Sequence, residues 1–123
     1  MFVGVLRLVL SVPGARSLKD RRRVVHALRD RIRARLSASI AEVGNLELYQ
    51  VATLGVCVVS RSSRRCSELM SEVVSLAQNQ REALVSDIAT EIVAFGAGGS
   101  AIRGGIEQTL DRDADLAEDE DES

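Results

Sequence analysis

Apolar residues recur with two different periods along the first 95 residues, which predicts four strands and two helices. Residues 2–12 are rich in Val and Leu and end at a Pro-Gly pair, so they are predicted to form a strand followed by a turn. One face of this strand would carry Phe2, Gly4, Leu6, Leu8 and Leu10, and the other Val3, Val5, Arg7 and Val9.

A helix of about five turns is predicted next, because apolar residues follow at helical spacing. Ser17 suits the N-cap position, and Asp20 stands three residues later, as in a short-armed capping box. The predicted apolar stripe consists of Leu18, Val25, Leu28, Ile32 and Leu36, with Val24 at its edge.

The remaining elements are predicted from sequence patterns of different strength. Residues 38–44 form a weaker, short strand, whereas residues 51–59 are nearly continuously apolar and predict a central strand buried on both faces. A second helix is predicted to end at about Asn79, and a last strand runs from about Ala83 to Phe95. In that strand Leu84, Ile88 and Ile92 alternate with Val85, Asp87, Ala89, Glu91 and Val93.

The order strand, helix, strand, strand, helix, strand predicts an α+β fold of the ferredoxin-like βαββαβ type. Such a fold has a four-stranded antiparallel sheet of order 4-1-3-2 with two helices on one face. The two most apolar strands then take the two central places. Arg7 should lie on the face away from the helices, near Glu91 on the neighbouring strand.

Charge is distributed unevenly along the chain. Residues 1–95 contain 14 basic and 9 acidic residues, whereas residues 96–123 contain 2 arginines and 9 acidic residues. Five glycines lie between Gly96 and Gly105. We therefore predict a domain over residues 1–95, followed by a Gly-rich linker and a disordered acidic tail over residues 96–123. The tail could regulate the basic domain or only aid its solubility.

Two stretches carry a resemblance to a known family. One is the run from Pro13 to Val25, and the other is residues 41–43 followed by residues 48–56. Together they resemble the YlxP-like family of small uncharacterised bacterial proteins over about residues 1–95. The resemblance implies a ferredoxin-like fold. Family genes commonly lie near those for transcription and translation factors, including a ribosome-binding factor, which implies a role around RNA or the ribosome.

The sequence departs from that family at three points. Arg21 stands where the family often has Lys, and Tyr49 stands where it often has Trp. The acidic tail is the third departure, and the resemblance says nothing about it.

The first helix is strongly basic, and this is its main functional signal. This stretch contains only two acidic residues, Asp20 and Asp30. Its basic residues are Arg16, Lys19, Arg21, Arg22, Arg23, Arg29, Arg31, Arg33 and Arg35. We predict that Arg16, Lys19, Arg22, Arg23 and Arg33 bind nucleic acid through its phosphates. The alternative is an ordinary solvated face whose arginine stems lie on the core. The start of the helix could also hold a phosphate, unless Ser17 simply caps it.

The sheet face without helices is the second candidate surface. Ferredoxin-like RNA binders stack bases on aromatic residues there, but this sequence places no aromatic residue mid-strand. An apolar face with few charges instead suits self-association. The predicted oligomer interface comprises Val3, Val5, Arg7, Val9 and Glu91.

No catalytic, metal or cofactor site is predicted. His26 is the only histidine, and Cys57 and Cys66 fit packed, reduced thiols. The apolar N-terminus is too short to span a bilayer, so we expect a cytoplasmic protein without a membrane partner.

The leading hypothesis is a non-enzymatic binding module associated with RNA or the ribosome. The alternative is a homo-oligomeric structural or regulatory domain that binds a protein or a small molecule.

Overall fold

The computed structural model describes residues 1–44 and 47–96. Its elements follow the predicted order, and they are β1 (Phe2–Ser11), α1 (Leu18–Arg35), β2 (Ser39–Gly44), β3 (Val51–Ser60), α2 (Ser63–Gln78) and β4 (Leu84–Ala94). The predicted linker and acidic tail lie outside the described residues, apart from Gly96.

The strands form one antiparallel sheet in the order β2-β3-β1-β4, which confirms the ferredoxin-like topology. The predicted faces of β1 are also confirmed, because Leu6, Leu8 and Leu10 are fully buried while Val5 and Arg7 are exposed. These leucines pack with the buried faces of both helices in one core. Both helices therefore cover the same face of the sheet, and the other face is open.

One glycine allows α2 to pack closely on β1. A Cβ atom at Gly4 would lie 2.9 Å from Met70 Sδ on α2 and 2.9 Å from Val58 Cγ2 on β3. Real Cβ atoms essentially never come this close to another heavy atom, so a side chain at this position would force Met70 or Val58 to shift. Gly4 thereby permits the observed packing of Met70 against β1.

The prediction that β3 is buried on both faces is wrong for the single chain. Ala52, Leu54, Val56 and Val58 are buried under the helices, but Val59 is 59% exposed and Cys57 is half-buried. The continuous apolar pattern thus reflects one face in the core and a second face that the described residues cover only in part.

The predicted alternation of β4 is wrong at its beginning. The register between β1 and β4 shifts between Val9 and Leu10, so Val85 pairs with Leu10 and packs against the core. Leu84 pairs with Ser11 and is 63% exposed. A bulge of this kind exchanges the two faces of a strand, and simple alternation therefore misassigns the residues before it.

In the part of the chain that the structure describes, neither helix is long and apolar enough to cross a membrane.

Candidate nucleic-acid interface

The start of α1 is fixed by its own side chains. The Ser17 hydroxyl accepts a hydrogen bond from the Asp20 backbone N–H at 3.1 Å, as the capping prediction requires. The Asp20 carboxylate in turn accepts from the Arg16 backbone N–H at 2.9 Å. Because a carboxylate already neutralises this helix end, the geometry favours ordinary capping over the predicted phosphate site.

Arg21 belongs to the interior of the protein. Its side chain is 5% exposed and lies 2.8 Å from the Glu42 carboxylate on β2. The same guanidinium donates to the backbone carbonyls of Leu48 and Val51, at 3.1 Å each. Arg21 therefore ties α1 to β2 and to the start of β3, and it contributes no charge to the exposed face of the helix.

The spacing of the buried residues could have identified this role. Arg21 lies three residues after Leu18 and four before Val25, so it falls within the predicted apolar stripe. Leu18, by contrast, is 38% exposed at the first turn of the helix. A charged residue at the spacing of the apolar stripe is therefore as consistent with a buried ion pair as with a surface charge.

The five predicted nucleic-acid contacts are all exposed. We call Arg16, Lys19, Arg22, Arg23 and Arg33 the cationic face. Lys19, Arg22 and Arg23 line one shallow surface depression together with Asp20 and His26. Arg33 lies eleven residues after Arg22 on a similar side of the helix, which places it about 16 Å further along the axis. The cationic face is thus an elongated strip.

One flank of α1 is partly neutralised by the turn between α2 and β4. Arg23 pairs with Glu82 at 3.0 Å, and Arg31 donates to the Gln80 side chain at 3.1 Å. The hydrogen bond and the charge of Glu82 raise the pKa of Arg23 above its usual range. Arg23 therefore stays protonated, but an exposed carboxylate offsets its charge.

The rest of the cationic face keeps its charge available. Within residues 1–44 and 47–96, Arg16, Lys19, Arg22 and Arg33 form no ion pair. The structure thus places three unpaired cations on the exposed side of α1 and a fourth, Arg16, just before its N-cap, and it removes Arg21 from the basic cluster that the sequence suggested.

The open face of the sheet is apolar. Val5 is 41% exposed at its centre, and Val43, Val59 and Val93 are exposed around it. Aromatic residues do not occupy the middle of this face, since Phe2 packs against the core and Tyr49 lies in the connection before β3. The described part of the sheet therefore offers no platform for base stacking.

Arg7 lies on the open face as predicted, but its ion-pair partner differs from the expected neighbour. Glu91 pairs in register with Val5, and Arg7 pairs with Ala89. The Arg7 guanidinium reaches Asp87 at 3.1 Å, and both side chains remain more than half exposed. Both acidic residues are diagonal to Arg7 on the same face, so alternation alone could not choose between them.

The remaining candidate residues do not form a reactive cluster. His26 is half-buried beside Arg29 and Glu42 in the cleft between α1 and β2. Cys66 is buried, and its thiol donates to the Phe2 carbonyl at 3.4 Å. The described ranges contain no group of three or more His, Cys, Asp or Glu residues that could hold a metal ion.

Comparisons with known proteins identify a family but not an activity. No curated protein matches the chain. Two similar solved structures are designed proteins. One, with a ferredoxin fold, has 11% identity and a TM-score of 0.44, and the match covers 81% of this chain and 89% of that chain. The other, Foldit4, has 13% identity and a TM-score of 0.40, with coverage of 76% and 98%.

A family model matches most of the chain. It is described as a protein of unknown function (DUF503), and it matches residues 3–90. These residues include all of α1 and most of the sheet. The chain therefore belongs to the DUF503 family of proteins of unknown function.

Proposed function

We propose that this protein is a non-enzymatic RNA-binding module whose cationic face holds the phosphate backbone. The observation that carries the proposal is the run of four exposed cations, Arg16, Lys19, Arg22 and Arg33, which have no ion-pair partner among the described residues. Proteins bind phosphates with unpaired Lys and Arg side chains of this kind.

The buried contacts of α1 support the same proposal. Arg21 fastens the helix to β2 through Glu42, so the exposed cations project from an anchored element. An anchored helix keeps the backbone positions of Lys19, Arg22 and Arg33 fixed relative to one another. The resemblance of residues 13–25, 41–43 and 48–56 to the YlxP-like family, with its implied role around RNA or the ribosome, points in the same direction.

The mode of binding follows from which residues the surface offers. Without aromatic side chains on the open face, the contacts are to phosphates, and binding is weakly dependent on sequence. Four such contacts to a single strand give a slope of about −3 in a plot of log affinity against log salt, or a loss of roughly 50-fold between 50 and 200 mM salt.

The first prediction tests the cationic face directly. In the Lys19→Gln, Arg22→Gln, Arg33→Gln triple variant, affinity for a fluorescein-labelled uridine-rich RNA falls at least about tenfold near 50 mM salt, and the salt slope becomes shallower by about 2. Fluorescence anisotropy measures both quantities.

A matched control removes three charges elsewhere. The Arg61→Gln, Arg64→Gln, Arg81→Gln variant has the same net charge, and its changed residues lie outside α1. We expect it to keep most of the affinity. Equal losses in the two triple variants, or no RNA binding by the unmodified protein, would contradict the proposal.

A second candidate function is that of a homo-oligomeric domain. The observation that favours it is the open sheet face, where Val5, Val43, Val59 and Val93 are exposed on neighbouring strands. A second copy of the chain could cover them, with the predicted interface Val3, Val5, Arg7, Val9 and Glu91 at its centre. Self-association through the sheet leaves Lys19 and Arg22 of α1 free to bind RNA, whereas Arg33 lies near Val5 at the edge of the open face.

A further inference from the structure

We propose that the acidic C-terminal segment, residues 111–123, binds the cationic face of the same chain. This segment contains eight carboxylates and one arginine, so its net charge is −7. The acidic residues are Asp111, Asp113, Asp115, Glu118, Asp119, Glu120, Asp121 and Glu122. The residues that the structure describes carry 14 basic and 9 acidic side chains, for a net charge of +5.

The cationic face is the best complement to this segment on the described surface. It presents four cations without an ion pair, three on α1 and Arg16 just before its N-cap. The other arginine cluster lies at the start of α2, where Glu68 already pairs with both Arg64 at 3.4 Å and Arg65 at 3.1 Å. A polyanion therefore gains more unpaired charge on α1 than on α2.

The chain is long enough to make the connection. β4 lies three strand positions from β2, which is about 14 Å across the sheet, and the helix layer adds about 10 Å. Arg33 lies near Ser39 and Val5, and Val5 pairs with Glu91 on β4. Gly96 follows Glu91 by five residues, which places it about 17 Å further along the strand direction. Arg22 is about 16 Å beyond Arg33.

These components place Arg33 about 25 Å and Arg22 about 40 Å from Gly96. Fourteen residues lie between Gly96 and Asp111, and the chain from Gly96 to Asp111 can span up to about 50 Å. The intervening residues contain one Arg and one Glu, so this spacer carries no net charge of its own. The acidic segment can therefore reach the whole strip.

The consequence for RNA rests on the proposed function. A tethered ligand competes at an effective concentration of order millimolar when its linker is longer than the span. If the segment occupies the cationic face in about nine of ten molecules, the apparent Kd for RNA rises about tenfold. A ligand that makes contacts outside the cationic face overcomes this competition more readily than a generic polyanion.

The experiment compares two full-length proteins. The variant carries Asp→Asn and Glu→Gln at all eight acidic positions of residues 111–123 and keeps the chain length unchanged. Amide chemical shifts are measured by NMR for both proteins at low and high salt, without RNA. Lys19, Arg22 and Arg33 report on the cationic face, and Arg61 and Arg64 serve as an internal control.

We expect shift differences at the cationic face near 10 mM salt, where charges interact over about 30 Å, and their loss near 1 M, where the range is about 3 Å. Identical spectra at low salt, or differences confined to Arg61 and Arg64, would overturn the inference. With RNA, the neutralised variant should bind about tenfold more tightly at low salt.

The RNA measurement separates this inference from the proposed function. Shift differences at the cationic face, combined with no RNA binding by either protein, would support the intramolecular contact and contradict the proposed function. Equal RNA binding by both proteins, with identical spectra, would support the proposed function and contradict the intramolecular contact.

Discussion

The guanidinium of Arg21 joins three parts of the chain through contacts that an arginine is well shaped to make. Its two terminal nitrogens reach the Glu42 carboxylate and the carbonyls of Leu48 and Val51. A lysine could carry the charge to this site, but its single ammonium cannot reproduce the planar fork. The position is therefore structural, although it lies in the most basic stretch of the sequence.

The prediction at this scale concerns stability. Arg21→Met leaves the Glu42 carboxylate, which is 22% exposed, and two carbonyls without this partner. Such a loss lowers the free energy of unfolding by about 3 kcal/mol. Urea denaturation measures it. Arg22→Met is the matched control, because Arg22 is exposed, and it should change stability by less than about 0.5 kcal/mol. Equal stabilities of the two variants would show that Arg21 has no special structural role.

The limits of sequence reasoning for single residues have a common cause. The capping by Ser17 and Asp20 was predictable because both partners lie within one turn. Arg21–Glu42 and Arg23–Glu82 join residues that are far apart in the sequence, so only the packed fold brings them together. Local patterns identify charged residues, but they do not identify distant partners.

At the scale of elements, alternation predicted which face of β1 is buried, and helical spacing predicted Val25, Leu28 and Ile32 in the core. It failed where a strand is irregular, since the bulge opposite Val9 and Leu10 exchanges the roles of Leu84 and Val85. It also failed on β3, whose apolar second face is open in the single chain. Both failures arise because neither the pairing register nor what covers the second face of a strand is encoded within that strand.

The open sheet face gives the prediction at this scale. Val5 lies at the centre of that face and pairs in register with Glu91. Val5→Lys should leave the fold intact, because the new cation lies opposite a carboxylate, and it should abolish self-association. Light scattering measures the molar mass in solution. Leu48→Lys changes an exposed residue outside the sheet and should leave the mass unchanged. If the unmodified protein is monomeric at high concentration, the proposal that a second copy covers the open sheet face is wrong.

For the whole molecule, the notable property is the separation of charge. A net charge of −2 conceals a basic folded part and an acidic C-terminal segment, and this could be read from the sequence. The five basic residues predicted as nucleic-acid contacts are all exposed, but the sequence did not indicate which of them is paired. The structure assigns Arg21 to the interior and offsets Arg23 with Glu82, so Arg16, Lys19, Arg22 and Arg33 carry the proposed interaction.

The central claim is that α1, rather than the open sheet face, contacts RNA. An NMR titration of the unmodified protein with a short uridine-rich RNA near 50 mM salt tests it most directly. The account predicts that amide shifts change around Lys19, Arg22 and Arg33, that Glu91 and Val93 on the open face of β4 remain unperturbed, and that the changes reverse at high salt. Changes centred on Glu91 and Val93, or no changes anywhere, would contradict it.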